Sequence, residues 1–258
     1  MNIDINNLIP IAVAAGEKIM EIYNTDFDVE IKGDNSPLTQ ADKAGNTIIV
    51  EALQKLYPSI PIISEENKLT DYNIRKNWEY CWLVDPLDGT KEFIKKNGEF
   101  TVNIALIHRG NPIAGVVHVP AQNITYYAQL GLGCYKIQNG ITSRLTLRPL
   151  AEDGILKIVG SRSHSTPELE DYVAEMQNNY DSVEFVATGS SLKFCILADG
   201  KADVYPRLGP TMEWDTAAGH IVAQEAGAEV LVFDTQLPLT YNREHLLNPY
   251  FIVKNPAL

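Results

Sequence analysis

Asp85 and Asp88 stand three residues apart in the stretch Asp85-Pro86-Leu87-Asp88-Gly89-Thr90, directly after an apolar run over residues 80–84. That run, Tyr80-Cys81-Trp82-Leu83-Val84, has the length and composition of a buried strand. The two carboxylates are therefore expected at the strand's carboxyl end, on a turn set by Pro86 and Gly89. In layered α/β folds that edge is where ligands bind. Two acids held close repel each other, so at neutral pH the pair needs a shared proton or a cation. Carboxylate oxygens, a carbonyl and waters are the ligand set of a hard divalent ion such as Mg²⁺. Two further acidic clusters fall at expected element boundaries: Glu65-Glu66 after a short strand at residues 60–63, and Glu213 with Asp215 at a helix start. Clusters converging on one crevice suit a two-metal hydrolase, in which one ion activates water and the other stabilises the departing oxygen. Backbone N–H groups at Gly89 and Thr90 are placed to cradle a phosphate.

Each cluster alone has a plainer reading. Paired glutamates in a loop usually face solvent. Asp215 suits the positive end of a helix dipole, and Asp42 suits the third position of a capping box begun by Thr39. Asp85-x-x-Asp88 also fits an Asx-turn. The combination is what favours metal.

The elements that must carry these residues are legible from periodicity. Leu8, Ile11, Ala12, Ala15, Ile19 and Ile22 recur at helical spacing. A second helix is expected from Thr39-Gln40-Ala41-Asp42 to Leu56, before Pro58. Residues 101–107, 112–119, 124–129, 133–137 and 143–147 read as strands of an antiparallel meander, broken at Arg109-Gly110, Gly131-Leu132-Gly133 and Asn139-Gly140. Beyond residue 150 strands near 156–160, 183–187, 202–205, 229–233 and 250–254 alternate with helices starting at Thr166-Pro167, Ser190 and Trp214-Asp215. The expected architecture is an α+β half over 1–150 holding most of the acids, then an α/β half over 151–258.

Among 258 residues, 45% are hydrophobic and 21% charged, the proportions of a globular protein with a full core. A formal net charge of −12 argues against a nucleic-acid polymer as partner. A small anionic substrate remains compatible if metal or a local basic pocket reverses the field. Cys81, Cys134 and Cys195 lie in apolar surroundings without paired spacing and read as buried free thiols of a reducing compartment. No run reaches the length of a membrane span, and the first residues lack the basic region of a secretory signal. A cytoplasmic location is expected, with peripheral attachment at the inner face of the membrane left open.

Asp85-Pro86-Leu87-Asp88-Gly89-Thr90 and Trp214-Asp215-Thr216-Ala217-Ala218-Gly219, with Glu65-Glu66 upstream, resemble the paired motifs of the inositol monophosphatase superfamily. Three further stretches are similar to its bacterial 3′(2′),5′-bisphosphate nucleotidase branch (the CysQ type). They are Ser36-Pro37-Leu38-Thr39-Gln40-Ala41-Asp42, Asn97-Gly98-Glu99-Phe100-Thr101-Val102-Asn103 and Asp203-Val204-Tyr205-Pro206-Arg207. The resemblance implies a layered α/β/α/β/α sandwich with the site between its halves. It implies Mg²⁺ at two principal sites, one held by Glu65, Asp85 and the Leu87 carbonyl, the other by Asp85, Asp88 and Asp215. It further implies that Thr90 and Glu65 position and deprotonate the attacking water, and that the Gly89 and Thr90 amides bind phosphate. Asp42 would be an outer acid beside a weaker third ion, and Li⁺ inhibition would be expected. The implied reaction is in-line hydrolysis of the 3′-phosphate of adenosine 3′,5′-bisphosphate, with the 5′-phosphosulfate analogue as a further substrate. Ser190, Lys193, Arg207 and His164 resemble nucleotide-contacting positions, Lys193 and Arg207 being suited to the 5′-phosphate. Plainer readings make Lys193 an exposed helix residue, pair Arg207 with Asp203 or Glu213, leave His164 on the surface and put Trp214 in the core. The rival activity is an inositol-phosphate or related sugar-phosphate phosphatase, and a reading from another class is a non-catalytic metal or phosphate binder. The resemblance admits a monomer or a homodimer.

Overall fold

A computed structural model describes residues 3–25, 37–150, 154–161 and 166–258. The first helix, α1 (Leu8–Tyr23), buries Leu8, Ile11, Ala12, Ala15 and Ile19 along one stripe. The second, α2 (Pro37–Leu56), starts two residues before the expected Thr39. Proline's missing N–H and fixed φ cost nothing in a helix's first turn, so Pro37 opens it. Asp42 consequently lies in the second turn rather than at a cap, and its acidity needs another explanation.

The chain continues through β1 (Ile62–Ser64), the one-turn helix α3 (Tyr72–Arg75), β2 (Tyr80–Asp88) and the short α4 (Thr90–Ile94). A meander follows: β3 (Thr101–His108), β4 (Asn111–Val119), β5 (Ile124–Gln129), β6 (Gly133–Gln138) and β7 (Ile141–Leu145). With β1 parallel to β2, these form a seven-stranded sheet in sequential order. The last strand begins at residue 141, two earlier than its pattern suggested. Asn139 and Gly140 both take positive φ, at 53° and 73°, which closes a two-residue hairpin and starts β7 at once.

The remainder runs β8 (Ile155–Ser161), α5 (Pro167–Asn179), β9 (Ser182–Thr188), α6 (Leu192–Ala198), β10 (Val204–Arg207), α7 (Glu213–Glu225), β11 (Glu229–Val232) and β12 (Phe251–Lys254). Its strands form a five-stranded sheet ordered β11-β12-β10-β8-β9, with β8 parallel to β9 and β10, and β12 antiparallel to its neighbours.

Strand alternation decides the layers. On β2, Cys81 and Leu83 face a central core while Trp82 and Val84 face an outer one. On β3, Ala105 and Ile107 oppose Val102, Ile104 and Leu106 in the same way. The outer core is closed by α1 and α2, and the central one is filled by α6 and α7 lying between the sheets. On β8, Val159 faces that centre, whereas Leu156 and Ile158 turn into a third core beneath Tyr172, Val173 and Met176 of α5. The layers are therefore α1/α2, seven strands, α6/α7, five strands and α5. Helix α7 lies close on β4 because Gly115 leaves room: a Cβ there would come within 2.6 Å of Ile221 and 3.0 Å of the Ala218 backbone. Gly115→Ala would overpack this contact at a cost of about 1–3 kcal/mol. The three cysteines are buried and unpaired. Among the described residues no helix is long and apolar enough to cross a membrane.

Candidate active site

β2 does not stop at Val84; it carries the acidic motif as far as Asp88. Asp85 pairs with Asn103 and Asp88 with Thr101, so three steps on β2 match two on β3. In a regular strand, residues three apart point to opposite faces. The extra residue of this bulge brings Asp88 back to the side of Asp85, toward the central layer. The expected Pro/Gly turn is thus a bulged strand end. Within it the Leu87 side chain fills the outer core, while the Leu87 N–H donates to Asp85 Oδ1 at 3.0 Å. An Asx-turn and a place among the clustered acids coexist in the same residue.

Glu65 follows β1, its N–H donating to the Val84 carbonyl at 3.2 Å, so the β1–β2 ladder sets its distance from Asp85. Asp215 arrives on the first turn of α7, with Oδ2 accepting from the Met212 N–H at 2.8 Å. Glu65, Asp85 and Asp215 each present a carboxylate oxygen within 4.8 Å of the other two. Burial pushes the Asp85 carboxyl well above the usual range, and its main charged neighbours, Asp88, Glu65, Asp215 and Asp42, push it further. Asp215 is raised to about 8 by burial and then by Asp88. Burial, then Asp88 and Glu66, raise Glu65 as well. Asp42, 9% exposed on α2, is raised to about 8 by burial and by Glu66 and Glu65. It belongs to the electrostatics of the site, and the capping reading does not hold.

Glu213 stays apart from this cluster. It is buried, accepts the N–H groups of Asn242 and Arg243, and pairs with the Arg243 guanidinium at 3.1 Å. The third acidic cluster of the sequence divides because residues two apart at a helix start point in different directions.

The facing wall is cationic. Lys193 on α6 is only 5% exposed, its Nζ 2.7 Å from the Ser190 carbonyl and 5.7 Å above the Tyr205 ring. It is no surface lysine, and burial lowers it to about 8 while Asp88 opposes that shift. Arg207, at the end of β10, donates to the Pro210 carbonyl at 2.8 Å. Neither expected acid pairs with it: Asp203 is gripped by Arg148 at 2.6 and 2.7 Å, and Glu213 by Arg243. Asp88 feels both walls, raised by burial and lowered by Lys193, Ser191 and Arg207. Trp214 lies in the central core. His164, with Arg162 and Ser163, lies outside the described residues.

A cavity of about 270 Å³ joins the walls, lined by Glu65, Asp85, Asp88, Thr90, Lys193 and Arg207 among others. Gly89 sits at its lip with φ 97°, a conformation that favours glycine, and a Cβ there would come within 3.1 Å of Ser190. Ser190 itself holds a left-handed φ of 45°. Sequence reasoning missed a buried chain beside the site: the Ser191 N–H donates to Asp88, while the Ser191 hydroxyl lies 2.8 Å from both Asn103 Oδ1 and Thr101 Oγ1. The signal was present as Thr101 and Asn103, two polar residues at alternate positions of an otherwise apolar strand. Thr211, Thr216 and Tyr205 also line the cavity and carried no such signal.

Comparison with known proteins accords with this geometry. The model of the inositol monophosphatase family matches residues 4–256. The chain is similar to the 3′(2′),5′-bisphosphate nucleotidase CysQ of Escherichia coli (strain K12), 47% identical over 242 residues that cover 93% of this chain and 94% of that one. The crystal structure of CysQ from Bacteroides thetaiotaomicron, a bacterial member of the inositol monophosphatase family, superposes with a TM-score of 0.90 at 45% identity, covering 97% of this chain and 96% of that one. Inositol monophosphatase II from Staphylococcus aureus shares the fold at 23% identity, with a TM-score of 0.78 over 98% of this chain and 91% of its own. On the family match and these relatives together, the chain belongs to the inositol monophosphatase family.

Proposed function

We propose that this chain is a Mg²⁺-dependent phosphatase that removes the 3′-phosphate of adenosine 3′,5′-bisphosphate, leaving AMP and inorganic phosphate. The observation that carries this reading is one cavity with an acidic wall on one side and, on the other, the buried Lys193 and the half-buried Arg207. A bisphosphate uses both walls, one phosphate at the acids through metal and one at the cations. The relatives named for this nucleotidase activity span nearly the whole chain, which supports the same reading.

The acids fit Mg²⁺: every donor is a hard oxygen, and the buried Asp85 is crowded by other carboxylates. Glu65, Asp85 and the Leu87 carbonyl would hold one ion, and Asp85, Asp88 and Asp215 a second, with Asp42 beside a weaker third. When bound, the ions supply Lewis-acid stabilisation of charge on the transferring phosphate and lower the pKa of water. The chain's residues do the remaining work. The Thr90 hydroxyl orients the attacking water, and the Glu65 carboxylate accepts its proton. The Gly89 and Thr90 N–H groups hold the phosphate oxygens so that attack is in line with the ribose oxygen that leaves. Lys193 and Arg207 bind the 5′-phosphate, with Ser190 at the cavity lip and His164 as a further nucleotide contact, so the nucleotide is fixed at two points.

The test is phosphate release from adenosine 3′,5′-bisphosphate beside inositol 1-phosphate, with Mg²⁺ and with a chelator. Nucleotide turnover at least about tenfold above the inositol rate, and lost on chelation, is expected from a second charged anchor worth over about 1.4 kcal/mol. Preference for the inositol ester would keep the acidic wall and overturn the role of the cationic one. No release from either would make the cavity a binding site without catalysis.

A further inference from the structure

Asn248 belongs to none of the motifs that mark the site, yet it is 5% exposed and heavily bonded. Its Nδ2 lies 2.9 Å from the Met212 carbonyl, 3.0 Å from the Thr216 hydroxyl and 3.3 Å from the Thr211 hydroxyl. Its backbone N–H donates to the Thr211 carbonyl at 2.8 Å. Its Oδ1 accepts from Arg243 Nη2 at 2.9 Å. A guanidinium only donates, so Arg243 fixes which end of the amide is oxygen, and the NH₂ group must face the three acceptors.

Those acceptors bracket Asp215. Met212 caps α7, and Asp215 holds its N–H while Asn248 holds its carbonyl. Thr211 and Thr216, on either side, line the cavity. The same loop grips the turn again through Glu213, which accepts from Asn242 and Arg243. Its near end is tied to α3 by Arg75, which donates to Asn242 Oδ1 at 2.8 Å and the Glu244 carbonyl at 2.7 Å.

The three clustered acids are not equally supported. Glu65 directly follows β1 and Asp85 lies within the parallel neighbour β2, so ladder hydrogen bonds set their separation. Asp215 comes in on a helix end with no ladder, toward carboxylates that repel it. We propose that Asn248 is a positioning residue for the metal set, locking the first turn of α7 so that Asp215 stays within reach of Glu65 and Asp85. This inference rests on the metal reading given under Proposed function.

The experiment is calorimetric titration of Mg²⁺ into the metal-free chain, with a melting temperature for each variant. Asn248→Asp keeps the acceptor for Arg243 and loses the donors; Asn248→Ser removes the amide without adding charge. Arg75→Ala loosens the same loop away from the site. Asn248→Asp should weaken Mg²⁺ binding about tenfold, the low end of the scale for lost outer partners, because Asn248 holds Met212, whose N–H is the partner of Asp215. Asn248→Ser should follow in the same direction, with a raised half-saturating Mg²⁺ concentration and a kcat that recovers at saturating metal. Arg75→Ala should lower the melting temperature and leave Mg²⁺ affinity within about twofold of wild type, since its hydrogen bonds go to Asn242 and Glu244 and not to the first turn of α7. Folded Asn248 variants that bind Mg²⁺ like wild type would overturn the proposal. So would an Arg75→Ala chain that loses as much affinity as Asn248→Asp, because the effect would then be general loosening. If Asn248→Asp does not fold, Asn248→Ser decides. A wild-type chain that takes up no Mg²⁺ would overturn the metal reading itself, before any substitution is compared.

Discussion

The two walls of the cavity face opposite electrostatic problems. Glu65, Asp85 and Asp215 are acids pushed up by burial and by neighbouring carboxylates, Asp88 foremost among them. Lys193 is a cation pushed down by burial, with Asp88 the first charge that helps it. Glu65, Asp85 and Asp88 of the acidic wall come from one bulged strand and the end of its neighbour, tied by a ladder, while Asp215 joins them from α7. The cationic wall is assembled from single residues on α6 and at the end of β10. Each wall lacks what a metal bisphosphate complex brings, a cation for one and an anion for the other. A cavity of this kind is held in place by the fold against its own charges and gains stability when filled.

Asp85→Asn should break the acidic wall most severely. Loss of a carboxylate shared by both proposed ions should reduce Mg²⁺-dependent turnover by on the order of a thousandfold, several kcal/mol of transition-state stabilisation. The same change should raise the melting temperature of the metal-free chain by a few degrees, because a buried, crowded charge is removed. Retained turnover, or a lower melting temperature in chelator, would mean that the acids are not the strained wall described above. On the cationic side, Lys193→Ala should raise KM for adenosine 3′,5′-bisphosphate about 10- to 100-fold, the worth of a charged hydrogen bond. KM for a small monophosphate ester such as p-nitrophenyl phosphate should move by less than about threefold, because such an ester leaves the second anchor empty. Parallel losses on both substrates would merge the two walls into one phosphate site.

The smallest effect is a pH slope. Asp215 and Asp42 titrate at about 8 in the folded metal-free chain, against about 4 for an unfolded aspartate. Below about pH 4 both states hold the protons and the stabilisation is fully present. Between pH 4 and 8 the folded chain binds protons that the unfolded chain has released, so stability falls as pH rises. Chemical denaturation at pH 5.5 and 8 should therefore show lower metal-free stability at the higher pH, with the difference reduced by saturating Mg²⁺. An equal slope with and without the ion would separate these acids from metal binding.

Much of the acidic wall could be read in one dimension because its residues share a local device. Asp85, Leu87, Asp88, Gly89 and Thr90 are contiguous, and their place after an apolar strand already marks a ligand edge. What misled the reading was local as well: Pro86 and Gly89 suggested a turn, whereas β3 captures the segment as a bulged strand. The plainer reading of Asp42 as a capping residue fails because the fold buries it near Glu65 and Glu66, more than twenty residues on, which local pattern does not show. The plainer reading that paired Arg207 with Asp203 or Glu213 fails for the same reason, since Arg148 and Arg243 hold those acids.

Element types, the two-sheet composition and the identity of the acidic and cationic residues were carried by the chain itself. Periodicity, turn chemistry and charge are properties of neighbouring residues and survive in a linear string. The layer order, the direction each acid faces and the brace at Asn248 were settled by packing. Asn248 meets Thr211, Met212 and Thr216 more than 30 residues away, after a helix and a strand have turned the chain back on itself. No spacing rule links such positions; a shared buried volume does, because an amide enclosed there must find its hydrogen-bond partners or lose stability.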